Sequence, residues 1–169
     1  ETLQVRKFDL EEMGVSFKPG NYIDDFKAKV AEFQPDLIGV TAVEDTWPQA
    51  RQLIEAVKEY DAPVVVGGIF ASLASEVPLA HPDVDMICVG EGENTLLDLA
   101  DCFVQGKDYS MVTNSWVRLK DGTISKNPIT RPVDIDKMPP ITDIGIFEEK
   151  RFYRPMGGKI RRLLPVETH

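Results

Sequence analysis

Two stretches decide how this chain folds: Pro63-Val64-Val65-Val66-Gly67-Gly68-Ile69-Phe70-Ala71-Ser72 and Met86-Ile87-Cys88-Val89-Gly90-Glu91-Gly92-Glu93-Asn94-Thr95-Leu96-Leu97. In each, a short unbroken apolar run stops abruptly at glycine. Runs of this kind suit strands buried on both faces, as parallel strands are when helices cover both sides of a sheet. The glycine turns then fall at the carboxyl ends of the strands, the edge at which open α/β sheets bind ligands.

Working outward, the same alternation repeats. Asn21 is placed to cap a helix, with Asp24 and Asp25 in its first turn, where the helix dipole favours acids. Ile23, Phe26, Val30 and Phe33 recur at three- and four-residue steps and define its apolar face. Leu37 to Val43 is a buried strand. Thr46-Trp47-Pro48-Gln49 has capping-box spacing and opens a helix facing inward through Ala50, Leu53, Ile54, Val57 and Tyr60. A strand at Val64–Val66, a short helix near Ser75–Ala80 and a strand at Met86–Val89 follow. A helix over Thr95–Gln105 then turns Leu96, Leu99, Ala100 and Phe103 inward. Leu3 to Leu10 reads as an opening strand. The pattern predicts an α/β fold, a flavodoxin-like, doubly wound parallel sheet with helices on both faces.

Beyond Gly106 the pattern changes. Lys120-Asp121-Gly122 between Trp116–Leu119 and Thr123–Ser125 is a hairpin signal. From Asn127 to Thr142 prolines and acids dominate, the composition of an extended linker. The organisation read here is an α/β domain over 1–112, a β-hairpin appendage over 113–126, and a linker with a basic lead-in over 127–169.

Composition narrows the function classes. The chain has 169 residues, 43% of them apolar, enough for one packed domain. No apolar run reaches the ~20 residues that span a bilayer, and the start does not resemble a secretory signal. Two cysteines, Cys88 and Cys102, make no disulfide framework. The expected setting is cytoplasmic. A net charge of −9 argues against a nucleic-acid partner. The charge is uneven: residues 150–169 hold six basic side chains and one acid, +5, leaving −14 on the rest. Because aromatic and aliphatic residues alternate with these cations, that end reads as a segment that packs on another protein body.

Three turns carry the chemistry. Gly67-Gly68 serves either a tight turn with positive φ or the approach of a bulky ligand to bare backbone. Gly90-Glu91-Gly92-Glu93 lacks the lysine and hydroxyl of a phosphate loop and the spacing of a dinucleotide fingerprint. Its acids accept hydrogen bonds from amides or hydroxyls, or else Glu93 simply caps the helix that follows. Thr41-Ala42-Val43-Glu44-Asp45 supplies a hydroxyl and small apolar residues, or only core packing and capping. All three turns share one sheet edge, and that convergence marks a binding cleft. His81 before Pro82 reads as a surface residue, and no catalytic triad or pair of metal-spaced histidines assembles. The pattern is that of a binder.

Pro35-Asp36-Leu37-Ile38-Gly39-Val40-Thr41, the Gly67-Gly68 turn with Ala71-Ser72, Val84-Asp85 leading to Val89-Gly90-Glu91-Gly92-Glu93, the Asp121-Gly122 hairpin and Ile135-Asp136-Lys137-Met138-Pro139-Pro140 occur in that order. Together they resemble the cobalamin-binding domain that precedes the catalytic barrel of cobalamin-dependent radical S-adenosylmethionine enzymes. The resemblance implies that this chain is the cobalamin-binding module of such an enzyme, a methyl transferase or a cyclase. It implies cofactor contacts from Thr41, Ala42, Val43, Glu44, Gly67, Gly68, Ile69, Phe70, Ala71, Gly90, Glu91, Gly92 and Glu93. Thr41 and Val43 stand where related domains have a serine-x-leucine motif. The Asp-x-His-x-x-G motif that supplies a lower cobalt ligand in many cobalamin domains is absent. Its place follows a first strand, and this chain aligns from the family's second strand onward. Leu164 to His169 resembles the run before the cysteines that hold the iron–sulfur cluster. Cluster and S-adenosylmethionine are therefore expected in a barrel beyond this chain, which is the partner the resemblance implies. The other reading of the same fold is a non-catalytic flavodoxin-like or receiver-like signalling domain, for which Glu44-Asp45 supplies only part of the acidic cluster.

Overall fold

Val64, Val65 and Val66 form the centre of the sheet, and their side chains alternate between its two faces. A computed structural model describes residues 20–130, 133–137, 144–145, 147 and 149–164. The expected strand at Leu3–Leu10 and the run Pro165–His169 lie outside the described residues. The chain divides into two compact units, Gly20–Met138 and a second that holds Pro139–His169.

The first unit is a five-stranded sheet in the order β1 (Ile38–Thr41), β2 (Val64–Gly67), β3 (Met86–Cys88), β4 (Ser115–Arg118) and β5 (Ile124–Lys126). β1, β2 and β3 are parallel; β4 pairs antiparallel with β3, and β5 antiparallel with β4. The Asp121-Gly122 hairpin forms where its turn chemistry places it. It is built into the main sheet as its edge, because Trp116, Val117 and Ser115 pair directly with Ile87, Met86 and Cys88.

Helices cover both faces, as the unbroken apolar runs require. On one face α1 (Tyr22–Phe33), α2 (Trp47–Ala56), α3 (Ile69–Leu73) and α4 (Glu76–Leu79) pack through Val30, Ile54, Ala71 and Leu79 on Ile38, Val64, Val66 and Ile87. On the other, α5 (Glu93–Gln105) packs Leu99 on Val65, Met86, Cys88 and Val117. The period-two alternation of β2 and β3 divides the core in this way.

Several local expectations change. The helix expected near Ser75–Ala80 forms as α4, but a further helix, α3, precedes it directly after Gly68, and the Ser75 hydroxyl donates to Ala71 O at 2.8 Å. Thr46 does not cap α2; its Oγ1 accepts from Val43 N at 3.0 Å and closes a single 3-10 turn over Glu44–Thr46. Phe33 is 80% exposed because α1 ends there, with Gln34 in the left-handed region. On α5 the inward face is Thr95, Leu99, Cys102 and Phe103, whereas Leu96 and Ala100 point outward. Thr95 turns the helix this way by donating its hydroxyl to Thr113 O at 3.2 Å. His81 is not a surface residue: it is half-buried, edge-on to Trp47, and its Nδ1 accepts from Asp83 N.

In the second unit, β6 (Tyr153–Met156) and β7 (Lys159–Arg162) form a hairpin inside the basic lead-in. Gly157-Gly158 between alternating residues is a two-residue hairpin loop, a signal the linker reading passed over. Arg162 bonds Glu149 at 2.7 Å and lies over the buried Phe152 ring. No described helix is long and apolar enough to cross a membrane.

Candidate functional site

Strand register brings the three turns side by side. Thr41, the last residue of β1, is paired with Gly67, the last of β2. Val66 is paired with Ile87, so Gly67 stands next to Cys88 at the end of β3. The carboxyl ends of three parallel strands thus finish abreast, and each leads straight into one of the turns.

The turns are also joined. At Gly68 φ is +94°, and a Cβ there would meet Thr41 Cγ2 at 3.2 Å and Ala42 O at 3.4 Å. Gly68 is therefore glycine for the sake of the fold, in both backbone angle and contact with the first turn. Gly67 differs. Its φ is ordinary, and an added Cβ would reach only Cys88 Cβ, at 3.7 Å, a normal contact. Nothing in the fold demands glycine at 67, and a glycine at a strand end with no such demand marks a place where something else approaches the backbone.

Ser72, one turn into α3, bridges to the third turn. Its Oγ accepts from Gly90 N at 2.8 Å and donates to Gly68 O at 3.1 Å. Beneath the turns lies Cys88, whose thiol donates to Glu91 O at 3.7 Å. Burial, together with the negative charge of Glu93, pushes the Cys88 thiol above its ordinary range against the opposing effect of Thr95, so at neutral pH it is an uncharged thiol.

The predicted residues are placed as follows. Ala42 and Ala71 are buried and serve packing, while Val43 and Ile69 are 47% and 66% exposed beside Gly68. Thr41 is exposed and lines an apolar groove of about 320 Å³ with Phe26, Val40 and Leu53. Glu44, Ile69 and Phe70 line another, of about 540 Å³, with Trp47 and Leu73. Phe70 packs against Trp47 with the two rings tilted by 40° and their centroids 5.8 Å apart. Gly92 precedes α5 and its carbonyl accepts from Leu96 N, while Glu93 is an exposed first-turn acid, as capping by the dipole requires. The Glu91 carboxylate is engaged by the exit segment, accepting from Val133 N.

That last contact revises the linker. Asn114 Oδ1 accepts from Thr130 N at 2.6 Å, Asn114 N donates to Pro128 O, and Asn127 Nδ2 donates to Ser110 O at 2.8 Å. Residues 127–130 are thus held along the sheet edge, and Val133 lies against the third turn. Ser72, Cys88 and Asn114 were absent from the residues singled out for the site. Ser72 was legible as position i+4 from Gly68 once a helix starts at Ile69.

The profile of the B12 binding domain family matches residues 2–100. The anaerobic magnesium-protoporphyrin IX monomethyl ester cyclase of Rubrivivax gelatinosus is 31% identical over 145 residues, which are 81% of this chain and 26% of that protein. An uncharacterised methyltransferase of Pyrococcus horikoshii is 25% identical over 120 residues, 68% of this chain and 26% of its own length. The chain thus spans about a quarter of the curated relatives it matches. Among solved structures, the cobalamin-dependent S-adenosylmethionine radical enzyme OxsB superposes on 67% of this chain and 16% of its own, with a TM-score of 0.57 and 20% identity. The radical S-adenosylmethionine methyltransferase TsrM of Kitasatospora setae superposes on 64% of this chain and 22% of its own, with a TM-score of 0.58 and 24% identity. These two likenesses concern the fold. The profile match begins ahead of β1 and runs into α5, taking in all three strand-end turns, and the chain belongs to the B12 binding domain family.

Proposed function

We propose that the chain is the cobalamin-holding module of a larger radical S-adenosylmethionine enzyme, and that the cofactor's nucleotide tail lies across the strand ends between Gly67-Gly68 and Gly90–Glu93. The glycine at 67, which the fold itself does not require, is the observation that carries this placement. Bare backbone at Gly67, Gly68 and Gly90 admits a flat aromatic base. The exposed Thr41 hydroxyl and the Glu91 and Glu93 carboxylates offer acceptors to its amide and hydroxyl groups, and Val43 and Ile69 offer apolar cover.

Bound cobalamin supplies cobalt-centred methyl-transfer or radical chemistry. This chain's residues hold and orient, and the corrin is presented to a catalytic domain of the same polypeptide. An iron–sulfur cluster and S-adenosylmethionine belong to that domain. The segment pinned by Asn114 and Glu91 leads out from the third turn toward it. Two free cysteines suit a reducing, cytosolic setting.

The test is retention of hydroxocobalamin by the 169-residue chain after desalting, read from the corrin bands. Near-stoichiometric retention is expected. Gly67→Ala is expected to keep apo thermal stability within about 2 °C of the parent, since its Cβ makes an ordinary contact, and to weaken retention about 10-fold or more. Undiminished retention in Gly67→Ala would move the tail away from this edge.

A further inference from the structure

The two glycine turns are connected through one side chain, and it belongs to neither. Ser72 Oγ accepts the Gly90 N–H at 2.8 Å and donates its own proton to Gly68 O at 3.1 Å. One hydroxyl uses a donor and an acceptor function to join the end of β2 to the end of β3. The position is set by the helix: Ser72 is the fourth residue after Gly68, so α3 must start at Ile69 for the hydroxyl to reach back to Gly68 O and across to Gly90 N. Gly90 itself is exposed, and a Cβ there would meet no protein atom within 4 Å, so side-chain packing does not hold this turn in place. Its neighbours are anchored elsewhere: Val89 N to Asn114 O, and Leu96 N to Gly92 O.

We infer that Ser72 is a positioning residue for cofactor binding, fixing the spacing between the Gly67-Gly68 wall and the Gly90–Glu93 wall. The inference rests on the cobalamin reading above and adds a residue which that reading does not contain. Loss of the hydroxyl leaves α3 intact, because alanine is a better helix former than serine and an i−4 back-bond of this kind adds little to a helix. The third turn then loses its tie to β2 and samples wider positions. Binding must afterwards order it, and affinity falls by the cost of that ordering.

The experiment compares the parent chain with Ser72→Ala and Ser72→Thr in three measurements: hydroxocobalamin dissociation, apo thermal unfolding, and amide exchange at Gly90 by NMR. For Ser72→Ala we expect dissociation on the order of 10-fold faster, the scale of one or two hydrogen bonds. Its apo midpoint should stay within about 2 °C, and its Gly90 amide should exchange faster than in the parent. Ser72→Thr, which keeps the hydroxyl, should return dissociation and exchange toward parent values; a purely packing role would not be rescued in this way. Parent-like dissociation from Ser72→Ala overturns the role of Ser72 and leaves the cobalamin reading standing. A loss in Ser72→Ala that Ser72→Thr does not restore, or that follows a fall in apo stability, also overturns it. Failure of the parent chain to retain hydroxocobalamin overturns the cobalamin reading and this inference together.

Discussion

At the scale of single residues, neighbouring glycines do different work. Gly68 is held at φ +94° with Thr41 Cγ2 3.2 Å from where a Cβ would stand, so Gly68→Ala strains both backbone and contact. We expect it to cost about 1–3 kcal/mol in urea unfolding, and a leucine there to cost more. Loss of cofactor in a Gly68 variant would therefore not distinguish a damaged pocket from a damaged fold, which is why Gly67 is the informative position. Cys88 makes a second prediction. Its thiol is pushed up in the folded chain, chiefly by burial, so the folded state holds that proton more tightly than the unfolded state does. The stabilisation is complete below the ordinary thiol range and is lost as pH rises through the folded pKa. Between pH 8 and pH 10 (about the range in which an ordinary thiol ionises) the parent chain should lose more urea resistance than Cys88→Ala. Equal losses would count against it.

At the scale of elements, the segment after β5 is held by side-chain and backbone hydrogen bonds to Asn114 and Ser110. Asn114 is 7% exposed and sits in the left-handed region at φ +59°, a conformation asparagine tolerates better than most residues. Its Oδ1 accepts from both Thr130 N and Thr130 Oγ1. Asn114→Ala removes both bonds and adds backbone strain, so we expect about 2–3 kcal/mol of destabilisation. Cleavage by trypsin after Lys126, at the start of this segment, should also become faster. An unchanged cleavage rate would mean that residues 127–130 are held by other contacts. The same segment carries Val133, whose N–H donates to Glu91, so release at Asn114 is expected to loosen the third turn as well.

At the scale of the whole molecule, one sheet divides the Gly20–Met138 core into two layers. Ile54 is 1% exposed in the layer under α1–α4, and Leu99 is fully buried in the layer under α5. Ile54→Val should cost about 0.5–1.5 kcal/mol and Leu99→Ala about 2–5 kcal/mol, the latter including a cavity term. Because the two residues share no packing partner in either layer, the double variant should equal the sum within about 0.5 kcal/mol in denaturant unfolding. A larger discrepancy would show that the sheet transmits strain between its faces.

The sequence by itself determined the class of the fold and the edge that carries the site. An unbroken Val-Val-Val run ending at glycine is stable only between two covered faces, and strand–helix alternation leaves few ways to arrange that. Turn chemistry placed the Asp121-Gly122 hairpin, because backbone geometry at a tight turn is a local property. Only the tertiary structure decided which sheet that hairpin joins, since strand pairing is set by partners far away in the chain. Helix rotation was likewise not local: α5 turns Thr95 inward because Thr113 O is there to accept its hydroxyl. Ser72 and Asn114 acquire their roles from the turns they join, Gly68 with Gly90 and Asn114 with Thr130. A hydrogen bond across eighteen residues leaves no periodic signature in sequence, whereas an apolar strand stopped by glycine does.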